Sequence, residues 1–228
     1  MELTTPSGKK FSREKTELLY RLCELGFIKW NDEPFPLQSG IRSNVYVSER
    51  EELTGHSECL AAIGREIGTA VWEHCRVRGI TQTPCLIGIP IAGTALAAAA
   101  SLTSARPLPF VVMSQVRKTH SANQRWVDGA PRLDCFYFTV DNTIKSGSSK
   151  LEIVKRLCED GFVPERMAHL VLVDRQYGGA ETLNRHGMEV ISLFTLLDLA
   201  YAAQEFGLWT LSQLRAVGKE IERHSIIA

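Results

Sequence analysis

Charge of either sign is what this sequence lacks in surplus: Lys plus Arg and Asp plus Glu number 26 each, leaving a formal net charge of zero. No global field therefore draws in nucleic acid or an anionic membrane, and a charged ligand must be recognised locally. Cysteine is present but not patterned. Cys23, Cys59, Cys75, Cys85, Cys135 and Cys158 show no CxxC spacing and sit mostly among apolar neighbours, which excludes a short-spaced metal knuckle and predicts reduced core thiols in a cytoplasmic protein. The first residues, MELTTPSGKKFSREK, contain neither a signal-peptide core nor a myristoylation pattern. Low-complexity tracts, internal repeats and an obvious linker are also lacking. Residues 80–105 carry no charge over 26 positions, but Pro84, Gly88, Pro90 and Gly93 interrupt them. A buried strand, a tight turn and a small-residue helix account for that stretch better than a membrane span.

What is there is a chain of 228 residues, 44% of them hydrophobic, enough for one large domain with a real core. Ser12 predicts a capped helix through Leu18, Leu19, Leu22 and Leu25 that stops at Gly26. An extended hairpin follows, then a helix carrying Leu60, Ile63, Ile67, Ala70 and Val71. From residue 84 short apolar strands alternate with helices: CLIGI, PFVVMS, CFYFTV, HLVLV and MEVISLF are the strands. That alternation predicts βαβ units, hence an α/β fold with a mostly parallel sheet flanked by helices. One domain over residues 1–228 is expected, with about the first 50 residues forming a small N-terminal cap.

Ligands of open α/β sheets bind beyond the carboxyl ends of the strands, and two of these ends have the composition of phosphate cradles. In GIPIAGTALA, Gly88 and Gly93 permit close backbone approach, and a helix opens beside Thr94. In FYFTVDNTIKSGSSKLE, Asp141 ends an apolar run, and Thr143, Ser146, Ser148 and Ser149 offer hydroxyls around Gly147 before the next helix. That helix is expected to place Leu151, Val154, Leu157 and Cys158 on one face. The spacing is not that of a Walker A loop. A carboxylate ahead of a phosphate cradle suits a sugar phosphate, the acid accepting from ribose hydroxyls. The polar stretch 116–132, with Arg117, Lys118, His120, Arg125 and Trp126, reads as a lid over an anion or as a solvated loop.

FTVDNTIKSGSSKLE resembles the PRPP-binding signature of type I phosphoribosyltransferases. The remaining motifs narrow the resemblance to the orotate phosphoribosyltransferase family: FPLQSGIRSNVYV is similar to its N-terminal F-x-L-K-S-G-x-x-S-x-Y motif, IGIPIAGTALAAAAS to its pyrophosphate loop, VRKTHSANQRWVDG to its catalytic hood, and VLVDRQYGGAETLNRHG to its late D-R-x-x-G and H-G regions. The resemblance implies a type I phosphoribosyltransferase fold that joins a nitrogenous base to C1 of PRPP with loss of pyrophosphate, assisted by Mg2+ held through PRPP without a direct protein ligand. It implies Asp141 and Asn142 at the ribose, and Thr143, Lys145, Ser146, Gly147, Ser148 and Ser149 around the 5-phosphate. Pro90, Ile91, Ala92, Gly93 and Thr94 would hold pyrophosphate, and Gln38, Ser39, Gly40, Tyr46 and Ala180 would lie at the base. Arg117, Lys118 and His120 belong to the hood, which in this family reaches a neighbouring subunit's site, so a homodimer is implied.

Four departures from the family pattern bear on chemistry. The second acid of the Asp-Asp pair is Asn142. The hood's mobile lysine is Ser121 and its histidine is Asn123. Gln38 replaces a lysine, and Ala180 replaces the arginine that grips the carboxylate of orotate. An arginine–carboxylate contact is worth about 1.5–3 kcal/mol, so a base other than orotate is expected. Ordinary orotate activity, or a non-catalytic PRPP- or nucleotide-binding role, remains open at this point.

Overall fold

The computed structural model describes residues 2–5, 8–36, 42–47, 55–117 and 125–225. The chain runs β1 (Leu3–Thr4), β2 (Lys10–Phe11), α1 (Arg13–Glu24), β3 (Ile28–Pro36), β4 (Arg42–Val47), α2 (Ser57–Arg78), β5 (Thr83–Gly88), α3 (Ala92–Thr103), β6 (Phe110–Val112), β7 (Cys135–Ile144), α4 (Ser148–Glu159), β8 (Met167–Asp174), α5 (Gly179–Arg185), β9 (Glu189–Thr195), α6 (Leu196–Glu205) and α7 (Leu211–Ser225).

Local chemistry sets the ends of these elements as the sequence predicts. The Ser12 side chain accepts from the Lys15 amide at 3.3 Å, and Gly26 follows α1 at φ +72°, a backbone that costs glycine little. Thr195 and Asp198 form a reciprocal capping box at the start of α6.

Five strands form one parallel sheet in the order β6-β5-β7-β8-β9. Numbered along the sheet's own strands this is 2-1-3-4-5, so the order reverses between β5 and β7. A crevice opens at such a reversal, because the connections leaving the two strands go to opposite faces. On one face Leu86, Phe138, Val140, Ala168, Leu170 and Leu172 pack in a core that continues through α2, α3, α1 and the β3–β4 hairpin. On the other, Ile87, Tyr137, Met167, Leu157 and Phe162 form a second cluster beneath α4, and Ile144, Val171, Leu183 and Met188 a third beside α5. Burial on both faces explains the near-continuous apolar strands.

Three expectations change. Strand β7 extends through Ile144, because Thr143 and Ile144 pair with Val173 and Asp174; Asn142 and Thr143 are therefore buried strand residues beneath the loop. Helix α4 begins at Ser148. Cys158 is exposed while the other five thiols are buried; it flanks the face that Val154 and Leu157 bury, so it is not a core residue. Burial pushes the thiols of Cys23 and Cys85 up to about 12 and about 11, which keeps them protonated and inert. Among the described residues no helix is long and apolar enough to cross a membrane.

Candidate active site

The carboxyl ends of β5 and β7 feed two loops that meet across the crevice. The first is the turn at Pro90–Ile91, a cis peptide, which opens α3. The backbone of Gly93 lies so close to β7 that a Cβ there would meet the carbonyl oxygen of Val140; the Ile89 amide donates to that same carbonyl at 3.0 Å. Only glycine lets the opening of α3 approach the strand this closely. Pro90, Ala92 and Thr94 are half-buried on this turn and Ile91 is exposed. The first turn of a helix leaves backbone N–H groups without intrahelical carbonyl partners and carries a positive dipole end, so the start of α3 favours an anion.

The second loop, residues 145–147, joins β7 to α4. Gly147 adopts φ +84° and caps α4, and a Cβ on Gly147 would press on the carbonyl of Gly179 at the start of α5. Gly179 in turn leaves no room for a Cβ against the Lys145 carbonyl. The loop is thus clamped by its neighbour from the end of β8. Its hydroxyls stay at the surface: Ser146, Ser148 and Ser149 are exposed, with Ser146 Oγ and Ser148 Oγ 3.2 Å apart. Exposed hydroxyls beside the first turn of a 12-residue helix are the components of a phosphate cradle.

Asp141 lies below this loop. One carboxylate oxygen accepts from the Asn142 amide at 2.8 Å and the other from the ammonium of Lys150. Asn142 Oδ1 accepts from the Thr143 amide at 2.8 Å. Lys150 was not among the sequence-predicted residues. Its one signal is a cation in the first turn of a helix, where the dipole disfavours positive charge; its side chain is nevertheless only 7% exposed, because Asp141 compensates it. Behind the pair, His169 Nδ1 is 2.5 Å from the Thr139 hydroxyl and Nε2 is unpartnered. Burial, with a smaller contribution from the Lys150 charge, pulls His169 down to about 4, so the imidazole is neutral.

A second buried network joins the third loop to the N-terminal hairpin. Arg175, following Asp174 at the end of β8, is 2% exposed. It donates to the Val45 carbonyl at 3.0 Å and to Tyr177 Oη at 3.4 Å. Tyr177 donates to Glu220 of α7, which also accepts from the Ser43 hydroxyl at 2.6 Å. Burial holds the Tyr177 phenol up at about 12 and raises the Asp174 carboxyl. Sequence spacing gave no sign of this network, because its members are 43 and 177 residues apart.

The remaining sequence-predicted residues are distributed as follows. Ala180 lies in the first turn of α5, beside the glycine clamp. Tyr46 is 46% exposed on β4, with its ring 5.8 Å from that of Phe35. Arg117 is not brought to the loops: its guanidinium is 3.7 Å from Glu159, at the opposite end of α4 from Gly147 and about 18 Å along the helix. The polar stretch ends on the same helix end, where Asp160 accepts from the amides of Trp126 and Val127 at 2.7 and 2.8 Å. Gln38, Ser39, Gly40, Lys118, His120, Ser121 and Asn123 lie outside the described residues. Among the described residues no group of three or more His, Cys, Asp or Glu is placed to hold a metal ion. With Asp141 engaged at both oxygens and an amide at position 142, the residues here do not fit a metal held by protein ligands.

A parallel sheet with glycine-tight loops at its switch point, a serine-rich cradle and a carboxylate beneath it define a type I phosphoribosyltransferase fold. An orotate phosphoribosyltransferase of Methanocella arvoryzae is 31% identical over 184 residues, spanning 81% of this chain and 96% of that protein. One from Nostoc sp. is 28% identical over 207 residues, 89% of this chain and 93% of that protein. The chain belongs to the orotate phosphoribosyltransferase family. Solved structures agree: an orotate phosphoribosyltransferase from Aeropyrum pernix is 26% identical with a TM-score of 0.58 over 84% of this chain and 99% of that one. The fold of Leishmania donovani UMP synthase superposes with a TM-score of 0.74 at 20% identity over 92% of this chain, which spans 42% of that protein. No family model matches the chain.

Proposed function

We propose that the protein transfers the 5-phosphoribosyl group of PRPP to a nitrogenous base and releases pyrophosphate. The observation that carries this is the pairing of two anion-binding loops across one crevice, with Gly93 against the Val140 carbonyl directly beside Asp141. A ligand holding phosphate at one loop and pyrophosphate at the other places its ribose over that carboxylate. Ser146, Gly147, Ser148 and Ser149, with Lys145, hold the 5-phosphate; the turn at residues 90–94 holds pyrophosphate; Asp141 accepts from the ribose diol. Asn142 and Thr143 support the loop from within β7. Mg2+ brought by PRPP would supply positive charge to the departing pyrophosphate, with no protein carboxylate assigned to hold it.

Catalysis here is mainly positioning and electrostatic stabilisation of the leaving group. Arg117 lies on the far end of α4, so we assign the hood residues Arg117, Lys118 and His120 to the site of a second copy in a homodimer. Gln38, Ser39, Gly40, Tyr46 and Ala180 border the base. Reduced thiols suit a cytoplasmic setting.

The base we favour is one that needs no arginine grip, since position 180 is alanine. Orotate is the second reading, favoured by the relatives' own activity. Calorimetric titration with PRPP and Mg2+, followed by pyrophosphate release across a panel of bases including orotate, tests both. Absent PRPP binding refutes the transferase reading, and robust orotate turnover refutes the preference against orotate. Ala180→Arg is expected to tighten orotate binding about tenfold or more, the equivalent of one charge-assisted contact; unchanged affinity shows that the base is gripped elsewhere.

A further inference from the structure

Within that phosphoribosyl site the Lys150–Asp141 pair is unexplained by the transfer chemistry. Lys150 is buried, its ammonium sits on one Asp141 oxygen, and its backbone amide donates to the Gly147 carbonyl at 3.0 Å inside the phosphate loop's own cap. The charges around it are few. His169 behind it is neutral, position 142 is an amide, and the start of α4 adds partial positive charge from its N–H groups. A Lys at a helix start works against that dipole, and Asp141 is its ion-pair partner among the described residues.

We propose that Lys150 is a charge-compensating positioning residue, a built-in cation that neutralises Asp141 so that a polyanionic phosphoribosyl ligand binds without a divalent ion. An anion approaching a bare carboxylate meets repulsion that a metal carried on the ligand must offset. Here the carboxylate is already neutralised from within the fold, and its neighbour, Asn142, adds no second negative charge. Asp141 keeps lone pairs for ribose hydroxyls while its net charge is cancelled. The metal requirement is thereby confined to the departure of pyrophosphate and removed from binding. This rests on the phosphoribosyl reading of the loop.

The test is calorimetric titration of the full-length protein with PRPP, in excess EDTA and in Mg2+. For the unsubstituted protein the two dissociation constants are expected to agree within about fivefold. Lys150→Met is expected to lose at least tenfold in EDTA and to recover most of that loss in Mg2+. Lys150→Arg, which keeps the charge, should retain metal-independent binding; a residue with only a packing role would show no such split between Met and Arg. Should Lys150→Met fail to fold, the Arg variant and the unsubstituted protein still decide the matter through their metal dependence. Binding that collapses in EDTA for the unsubstituted protein overturns the proposal while leaving the transferase reading intact. No PRPP binding under either condition overturns both.

Discussion

Two residues at the crevice carry consequences out of proportion to their size. His169 is buried with Nε2 unpartnered, and its folded-state value of about 4 lies below the ordinary 6.5. Between those values the unfolded chain binds a proton that the folded chain refuses, so stability rises with pH across this window. The contribution is complete above pH 6.5 and is lost as pH falls to 4, an effect of up to about 3 kcal/mol. Urea unfolding followed from pH 7 to pH 4 should show this loss, and His169→Gln should flatten the profile; an unaltered slope would mean that other groups dominate acid sensitivity. Gly93 is the second. A methyl group placed there meets the Val140 carbonyl, so Gly93→Ala must part the α3 turn from β7. Overpacking of this kind costs about 1–3 kcal/mol. It should also weaken binding of pyrophosphate, read by calorimetry, while leaving inorganic phosphate at the serine loop less affected.

At the scale of elements, helix α7 acts at a distance from the loops it serves. Glu220 accepts from both Ser43 on β4 and Tyr177 after β8, and Tyr177 is bonded to the buried Arg175. The C-terminal helix thereby ties the N-terminal hairpin, which we propose borders the base, to the third loop of the parallel sheet. Removing the carboxylate deprives the buried Tyr177 and Ser43 hydroxyls of their shared acceptor. Hydrogen bonds to charged groups contribute about 1.5–3 kcal/mol each, so Glu220→Ala is expected to lower stability by about 2–4 kcal/mol in chemical denaturation. Its kinetic signature should be a raised KM for the base with a smaller change in KM for PRPP, because the hairpin loosens while the phosphate loops keep their glycine clamp. Equal changes in both would place Glu220 in general stability alone. None of this was legible in the sequence. The strands, the α1 cap, the α3 turn and the serine loop were, since each is written in local apolar periodicity or in glycine and hydroxyl spacing. Lys150 reads locally as a solvated residue opening a helix; its burial follows from a partner nine positions back on the adjoining strand. Cys158 was misplaced for a related reason: helical spacing sets the angle of a residue around α4 but not how far the covering layer extends over that angle.

For the molecule as a whole, strand order is the property that makes a site out of these parts, and it too has no local signal. The apolar runs predict five parallel strands; the 2-1-3-4-5 order emerges only when α3 crosses one face and α4 the other. That order places the ends of β5 and β7 side by side and sends their loops to opposite faces, leaving the crevice between. One ligand spanning both loops should therefore tie the two faces of the sheet together and stabilise the entire fold. A ligand that binds only the folded state contributes about 2.7 kcal/mol at one hundred times its dissociation constant, and each kcal/mol moves Tm by about 2–4 °C in a chain of 150–250 residues. PRPP at such a concentration is thus expected to raise Tm by about 5–11 °C in scanning calorimetry. Ribose 5-phosphate and pyrophosphate, each expected to engage one loop, should give smaller shifts at the same concentration. A PRPP shift no larger than that of pyrophosphate alone would show that the two loops do not act as one site.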